Sequence, residues 1–124
     1  MLRCVTLLAA LAALPAAAQV QRNFPADALR GQLIVTQPPE VLLNGEPGRL
    51  APGARIRDQH NMLTVSGAMV GQRLIVNYTR ERGGLVLDVW ILRPEEQANK
   101  PWPVNEAQAK AWRFDPVGQT WSRR

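Results

Sequence analysis

The side chains that could carry chemistry are few and scattered. His60 is the only histidine and lies in Asp58-Gln59-His60-Asn61, between two apolar runs. A zinc site needs three or four converging ligands, commonly His or Cys, and a general base needs a group to orient it, so His60 reads as a solvent-facing loop residue. Ser66 stands in Val65-Ser66-Gly67-Ala68, which lacks the flanking glycines and strand-to-helix turn of a nucleophile elbow. It reads as a turn residue. The carboxylates Glu40, Glu46, Asp58, Glu81 and Asp88 show no spacing that pairs two of them for acid and base work. Asp88 alternates with Val86 and Trp90 on a face expected to be covered, which calls for a structural partner such as Arg73 or an arginine of the tail. Gly67, Gly71, Gly83 and Gly84 form no phosphate-binding or dinucleotide pattern. Asn77-Tyr78-Thr79 matches a glycosylation acceptor only formally, inside an expected strand. No catalytic constellation, no metal site and no cofactor site is assigned.

The aromatics are the better lead. Of the four tryptophans, Trp102, Trp112 and Trp121 fall in the tail, beside Lys100, Lys110, Arg113 and Arg123, and only Trp90 lies elsewhere. Indoles next to cations suit stacking on sugar rings or peptide faces, and an exposed cluster marks a binding surface. The candidate surface is therefore Trp102, Trp112, Trp121, Lys100 and Arg113. The competing reading, that these rings complete a core too small to close by itself, is the one favoured here.

These residues must be positioned by short strands. From Gly31 onward, apolar runs rich in Val, Ile, Leu and Thr end repeatedly at Gly, Pro or Asn, the signature of several short strands. Strands are expected at 32–36, 41–43, 49–50, 54–57, 62–65, 72–79 and 85–92. Asn44-Gly45 offers the positive φ of a tight hairpin, Pro38-Pro39 interrupts a ladder, and Pro52-Gly53 reads as a turn. In the last hairpin Leu74, Val76 and Tyr78 face Leu85, Leu87, Val89 and Ile91, with Val86, Asp88, Trp90 and Leu92 on the other side. That second side is too apolar to be wet, and the tail is its expected cover. In the tail, Pro94 to Ala98 form one helical turn, Asn105 caps a short helix running to Trp112, and 114–121 form two extended pieces around a turn. The expected organisation is a lead-in over 19–30 tacked down by Phe24 and Leu29, a small β domain over 31–92, and a tail over 93–124 packed on it. The fold class is all-β, a twisted sheet or partly closed barrel of five to seven strands.

Residues 1–18 read as an export signal: Arg3, an apolar run of about ten residues, then Pro15-Ala16-Ala17-Ala18 before a cleavage point at Gln19. The run is shorter than the roughly twenty residues of a membrane span. Its removal leaves 106 of 124 residues, one small domain, and takes with it Cys4, the single cysteine, so no disulfide is available. Arg3 leaves too, and fourteen Lys and Arg then face ten Asp and Glu, a formal +4. The cations are dispersed and read mainly as a solvated basic surface; the protein is expected in a bacterial periplasm or secreted, where no nucleic acid partner is expected, and an attraction to anionic envelope material makes an envelope protein or polysaccharide the expected partner. An exposed edge strand keeps a homodimer open.

Leu43-Asn44-Gly45, the stretch 49–56 (RLAPGARI), Gly71-Gln72-Arg73-Leu74, the stretch 88–92 (DVWIL) and Lys100-Pro101-Trp102-Pro103 together resemble a family of small, uncharacterised exported proteins of beta-proteobacteria. The resemblance covers nearly the whole mature chain and implies location and a single domain, with no activity attached. More loosely, short strands broken by glycines resemble small barrels of the oligonucleotide/oligosaccharide-binding or SH3-like type. The expected function is a non-enzymatic binding or accessory module of the envelope. The rivals are a structural envelope protein with a protein partner only, and a small hydrolase in which Asp88, Tyr78 or His60 converge.

Overall fold

The computed structural model describes residues 21–123; the expected signal segment 1–18 lies outside them. Eight strands form: β1 (Leu29–Gln37), β2 (Glu40–Leu43), β3 (Glu46–Arg57), β4 (Leu63–Thr64), β5 (Leu74–Arg80), β6 (Val86–Ile91), β7 (Arg113–Asp115) and β8 (Thr120–Ser122). Two short helices, α1 (Pro94–Gln97) and α2 (Glu106–Ala111), and a 3-10 turn at Ser66–Met69 are the other elements among the described residues. No described helix is long and apolar enough to cross a membrane.

The sheet closes on itself. Around the ring the order is β2-β1-β5-β6-β3, and β3 pairs back onto β2. Every pairing in the ring is antiparallel except β3 with β6, which is parallel. The result is a closed, mixed, five-stranded barrel, with β4 added to β3 outside the ring. Closure removes the unpaired edges of an open sheet. Its interior is filled by alternate residues of the strands, among them Leu33, Val35, Val41, Val76 and Val89, all nearly inaccessible.

Turn chemistry explains the first half of the barrel. Asn44 and Gly45 take φ of 54° and 80° and bring Leu43 opposite Glu46, a two-residue hairpin whose central residues both need positive φ. Pro52-Gly53, by contrast, does not end a strand. The expected strands at 49–50 and 54–57 are one continuous β3. The β3–β6 ladder breaks between Leu50 and Arg55, so the N–H that Pro52 lacks falls at an irregularity, and Gly53, at φ 78°, absorbs the kink.

A second irregularity corrects the expected faces of the last hairpin. Tyr78 pairs with Val89, but Arg80 pairs with Val86, so Leu87 and Asp88 oppose the single residue Thr79. This bulge turns Val86 inward to the barrel core, 1% exposed, instead of leaving it beside Asp88 and Trp90. Leu85 and Leu87, expected inside, are only half-buried.

Trp90 and Leu92 keep to the outer side, where a second apolar cluster forms with Phe24, Ala28, Trp102 and Trp121. Phe24 meets Trp90 and Trp102 edge-on at centroid distances of 5.5 and 5.7 Å, and Phe114 lies 4.8 Å from Trp121. These are favourable aromatic geometries. The Trp102 indole N–H donates to the Ala28 carbonyl at 3.0 Å, and the Arg30 N–H donates to the Pro103 carbonyl at 2.8 Å. The tail is thus bound to the outer face of β1 and β6. Arg22 fastens the lead-in to the same region. Its Nε donates to Glu96 Oε2 at 2.9 Å, its Nη1 to the Asp58 carbonyl at 2.8 Å, and its Nη2 to the Ile91 carbonyl at 2.8 Å and to Glu96 Oε1.

Candidate functional site

The polar candidates lie in different surroundings. His60 is exposed, and its backbone N–H donates to Asp58 Oδ1 at 2.8 Å. The Asp58 carboxylate also accepts from Met62 N at 3.0 Å. That bond, with the His60 bond and the charges of His60 and Arg22, holds its carboxyl below the usual range. Asp58 therefore shapes the 58–62 loop. Tyr78 is buried in the barrel core, and Ser66 opens the 3-10 turn. Asp88 has a structural partner, but it is Arg55, at 3.3 Å, not Arg73 or a tail arginine. The parallel β3–β6 pairing puts Arg55 opposite Asp88, and Thr79 Oγ1 donates to the same carboxylate at 3.3 Å. Asn77 is fully buried within β5. Among the described residues no group of three His, Cys, Asp or Glu converges as a metal site would require.

The tail candidates divide. Trp121, 6% exposed, belongs to the second core. Arg113 is exposed on β7, and it does not line the groove in which the other candidates meet. Lys100, Trp102 and Trp112 come together with Arg30, Pro101, Val104, Gln108 and Arg123 around a groove of about 310 Å³. Trp102 shows little more than an edge, at 5% exposure, while Trp112 is half-buried and Lys100 exposed. Local sequence dictates this layout. Asn105 accepts the Gln108 N–H at 2.8 Å and starts α2, and Gln108 Oε1 accepts the Val104 N–H at 2.9 Å. Together these hold the turn from Pro103 into α2 that forms one wall. Trp112 caps the helix at its other end.

The electrostatics are one-sided. Arg30, Lys100 and Arg123 line the groove, and among the described residues no carboxylate does. The Arg123 guanidinium lies 5.2 Å from the centre of the Trp112 ring, and that of Arg30 lies 5.1 Å from the centre of Trp102, both within cation–π range. Arg30 is held firmly. Its Nε donates to Asn77 Oδ1 at 3.0 Å and its Nη1 to the Asn99 carbonyl at 3.0 Å, while its Nη2 is buried without a hydrogen-bond partner. Burial lowers the Arg30 pKa to about 10, against the opposing charge of Glu96, so it remains a cation at neutral pH. A groove in which two arginines lie over indole rings beside an exposed lysine can take an anion that also presents an apolar or sugar-like surface.

Arg30 is the residue that a reading of the tail alone misses. The alternation of β1 contains the signal: Leu29, Gly31, Leu33 and Val35 point one way, so Arg30 must point the other. Which element covers that face is not written locally. No protein-family model, no curated protein and no solved structure matches the chain.

Proposed function

We propose that this chain is a non-enzymatic binding module of the bacterial envelope that holds an acidic polysaccharide in the tail groove. The observation that supports it is the lining itself: three cations and two indoles, with no carboxylate among the described residues that form it. Sugar rings offer C–H faces to indoles, and carboxylate or phosphate substituents meet Arg and Lys. The closed mixed barrel adds support, since small barrels of the oligonucleotide/oligosaccharide-binding type take polymers on their outer surfaces, although a fold by itself does not fix a ligand.

Calorimetric titration with oligogalacturonate, against neutral maltooligosaccharide of equal length, tests the proposal. The acidic oligomer is expected to bind and to weaken with salt, the neutral one to bind far less. A Lys100→Glu/Arg123→Glu variant should lose the acidic oligomer, whereas Arg113→Glu should keep it. Equal affinity in wild type and the double variant sinks the proposal.

A second reading, a protein partner held at a strand edge, rests on a different place. Met62, Leu63 and Val65 are 64, 62 and 70% exposed around β4. Beside them Pro38, Pro39, Leu50, Ala54, Ile56 and Val65 line a groove of about 420 Å³ without a charged residue. Photo-crosslinking from position 63 in the periplasm distinguishes the readings: a discrete protein adduct favours this one.

A further inference from the structure

A separate pocket of about 360 Å³ opens between the lead-in, the end of β5 and α2. Its floor is apolar, formed by Leu29 and Ala109. Around the floor stand Asp27, Arg80, Glu106 and Lys110, two charges of each sign. Among the described residues no ion pair joins any two of these four. The gap at Glu106 and Lys110 is informative, because they stand four apart on α2 with the glutamate first, the arrangement that ordinarily favours pairing. Arg80 is oriented from below: its guanidinium lies 5.6 Å from the Tyr78 ring centre, and its Nη1 donates to the Gly84 carbonyl at 3.1 Å.

The geometry points to a binding site for a small zwitterion with an apolar substituent, the chemistry of an apolar α-amino acid or a very short apolar peptide. A ligand with one charge would meet two pocket groups of its own sign. A zwitterion can place its carboxylate toward Arg80 and Lys110 and its ammonium toward Asp27 and Glu106, with its side chain on Leu29 and Ala109. The volume lies at the small end of the roughly 300–1,000 Å³ of ligand pockets, which suits one or two residues. This site uses none of the groove's cations and stands or falls independently of the proposed polysaccharide groove.

The test is two-dimensional amide NMR of the purified protein titrated with L-leucine, leucyl-leucine, L-leucinamide, 4-methylpentanoate and glycine. Saturable shifts at Asp27 and Ala109 are expected with leucine or leucyl-leucine, and the tighter of the two identifies the source. Leucinamide and 4-methylpentanoate, each lacking one charge, should bind at least about tenfold more weakly. So should glycine, which lacks the apolar group. Asp27→Asn and Lys110→Gln should each weaken the preferred ligand about tenfold while the rest of the spectrum stays unchanged. Lys100→Glu/Arg123→Glu should leave it unaffected. Absence of saturable shifts at Asp27 and Ala109 with both leucine and leucyl-leucine overturns the assignment. So does equal binding of the singly charged analogues, or indifference to both pocket substitutions.

Discussion

Arg22→Met is the most demanding test of how this small barrel is held together. The Arg22 side chain is 4% exposed and its partner Glu96 11%, in contrast with Arg49 and Glu40, a surface pair at 58% and 53%. Methionine keeps much of the apolar stem but removes both bonds to the Glu96 carboxylate and those to the Asp58 and Ile91 carbonyls. Breaking a buried pair by removing one partner costs about 3–5 kcal/mol, because the other charge stays buried. Arg93, whose Nε lies 3.4 Å from Glu96 Oε1, offsets part of this and puts the expected loss near the lower end. At about 4–8 °C per kcal/mol for a domain of this size, about 3 kcal/mol lowers Tm by at least about 12 °C.

Urea unfolding at pH 7, followed by tryptophan fluorescence, gives the free energies for Arg22→Met, Glu96→Gln and the double variant. A coupling energy above about 1.5 kcal/mol is expected, and coupling within about 0.5 kcal/mol of zero refutes the reasoning. The pH dependence supplies a second check. Burial alone would raise the Glu96 carboxyl, but the hydrogen bond from Arg22, the Arg93 backbone N–H and the charges of both arginines outweigh it and hold it below its ordinary 4.5. A carboxyl lowered in the folded state contributes stability that is complete above its unfolded value and is lost as pH falls through the folded one. The wild type should therefore lose this contribution progressively below about pH 4.5, and Arg22→Met should show a shallower acid limb.

Other substitutions separate strong from weak contacts. Arg55→Ala breaks the bridge to Asp88, but Arg55 is 62% exposed, so its urea midpoint should move by no more than about 1 kcal/mol equivalent. Asn105→Ala removes the cap on α2 and should cost about 1 kcal/mol, with faster amide exchange at Gln108. Gly31→Ala puts a methyl 3.0 Å from Tyr78 Cε1 and 3.1 Å from Asn44 Oδ1. That crowding should cost about 1–3 kcal/mol in urea unfolding.

The parts of the fold legible in the sequence are those with local causes. Asn44-Gly45 and the Asn105 cap each act within a few residues, and the expected hairpin and short helix stand where these signals put them, whereas β1 already begins at Leu29, inside the expected lead-in and three residues before the expected strand at 32–36. The barrel's closure has no such signal, because β3 meets β6 across more than thirty residues of chain (Ile56↔Val89). For that reason the sequence points Asp88 toward Arg73 or the tail, whereas its partner is Arg55. Bulges defeat period-two reasoning for a related reason: one extra residue at Leu87 and Asp88 reverses the side on which Val86 lies. Pro52-Gly53 shows the converse. A dipeptide that ends strands elsewhere is accommodated inside β3, where the ladder is already irregular.

The same physics explains why the candidate site was only half visible, and it sets the final test. A chain without an available disulfide needs its tail rings as core, so Trp102 and Trp121 are committed to packing against Phe24, Phe114 and one another. A ligand can meet only what that packing leaves accessible: Trp112, Lys100, Arg123, the accessible part of Arg30 and the edge of Trp102. Trp102→Ala therefore cannot test binding, since it should cost about 3–5 kcal/mol of stability by itself. Trp112→Leu is the separable change. It removes the indole under Arg123 but keeps an apolar residue at a half-buried position, so stability should fall by no more than about 1–2 kcal/mol. Affinity for the acidic oligomer should fall about tenfold, through the lost stacking surface and the freed Arg123. If affinity instead tracks stability across Trp112→Leu, Asn105→Ala and Arg55→Ala, the groove is packing alone and the polysaccharide reading fails.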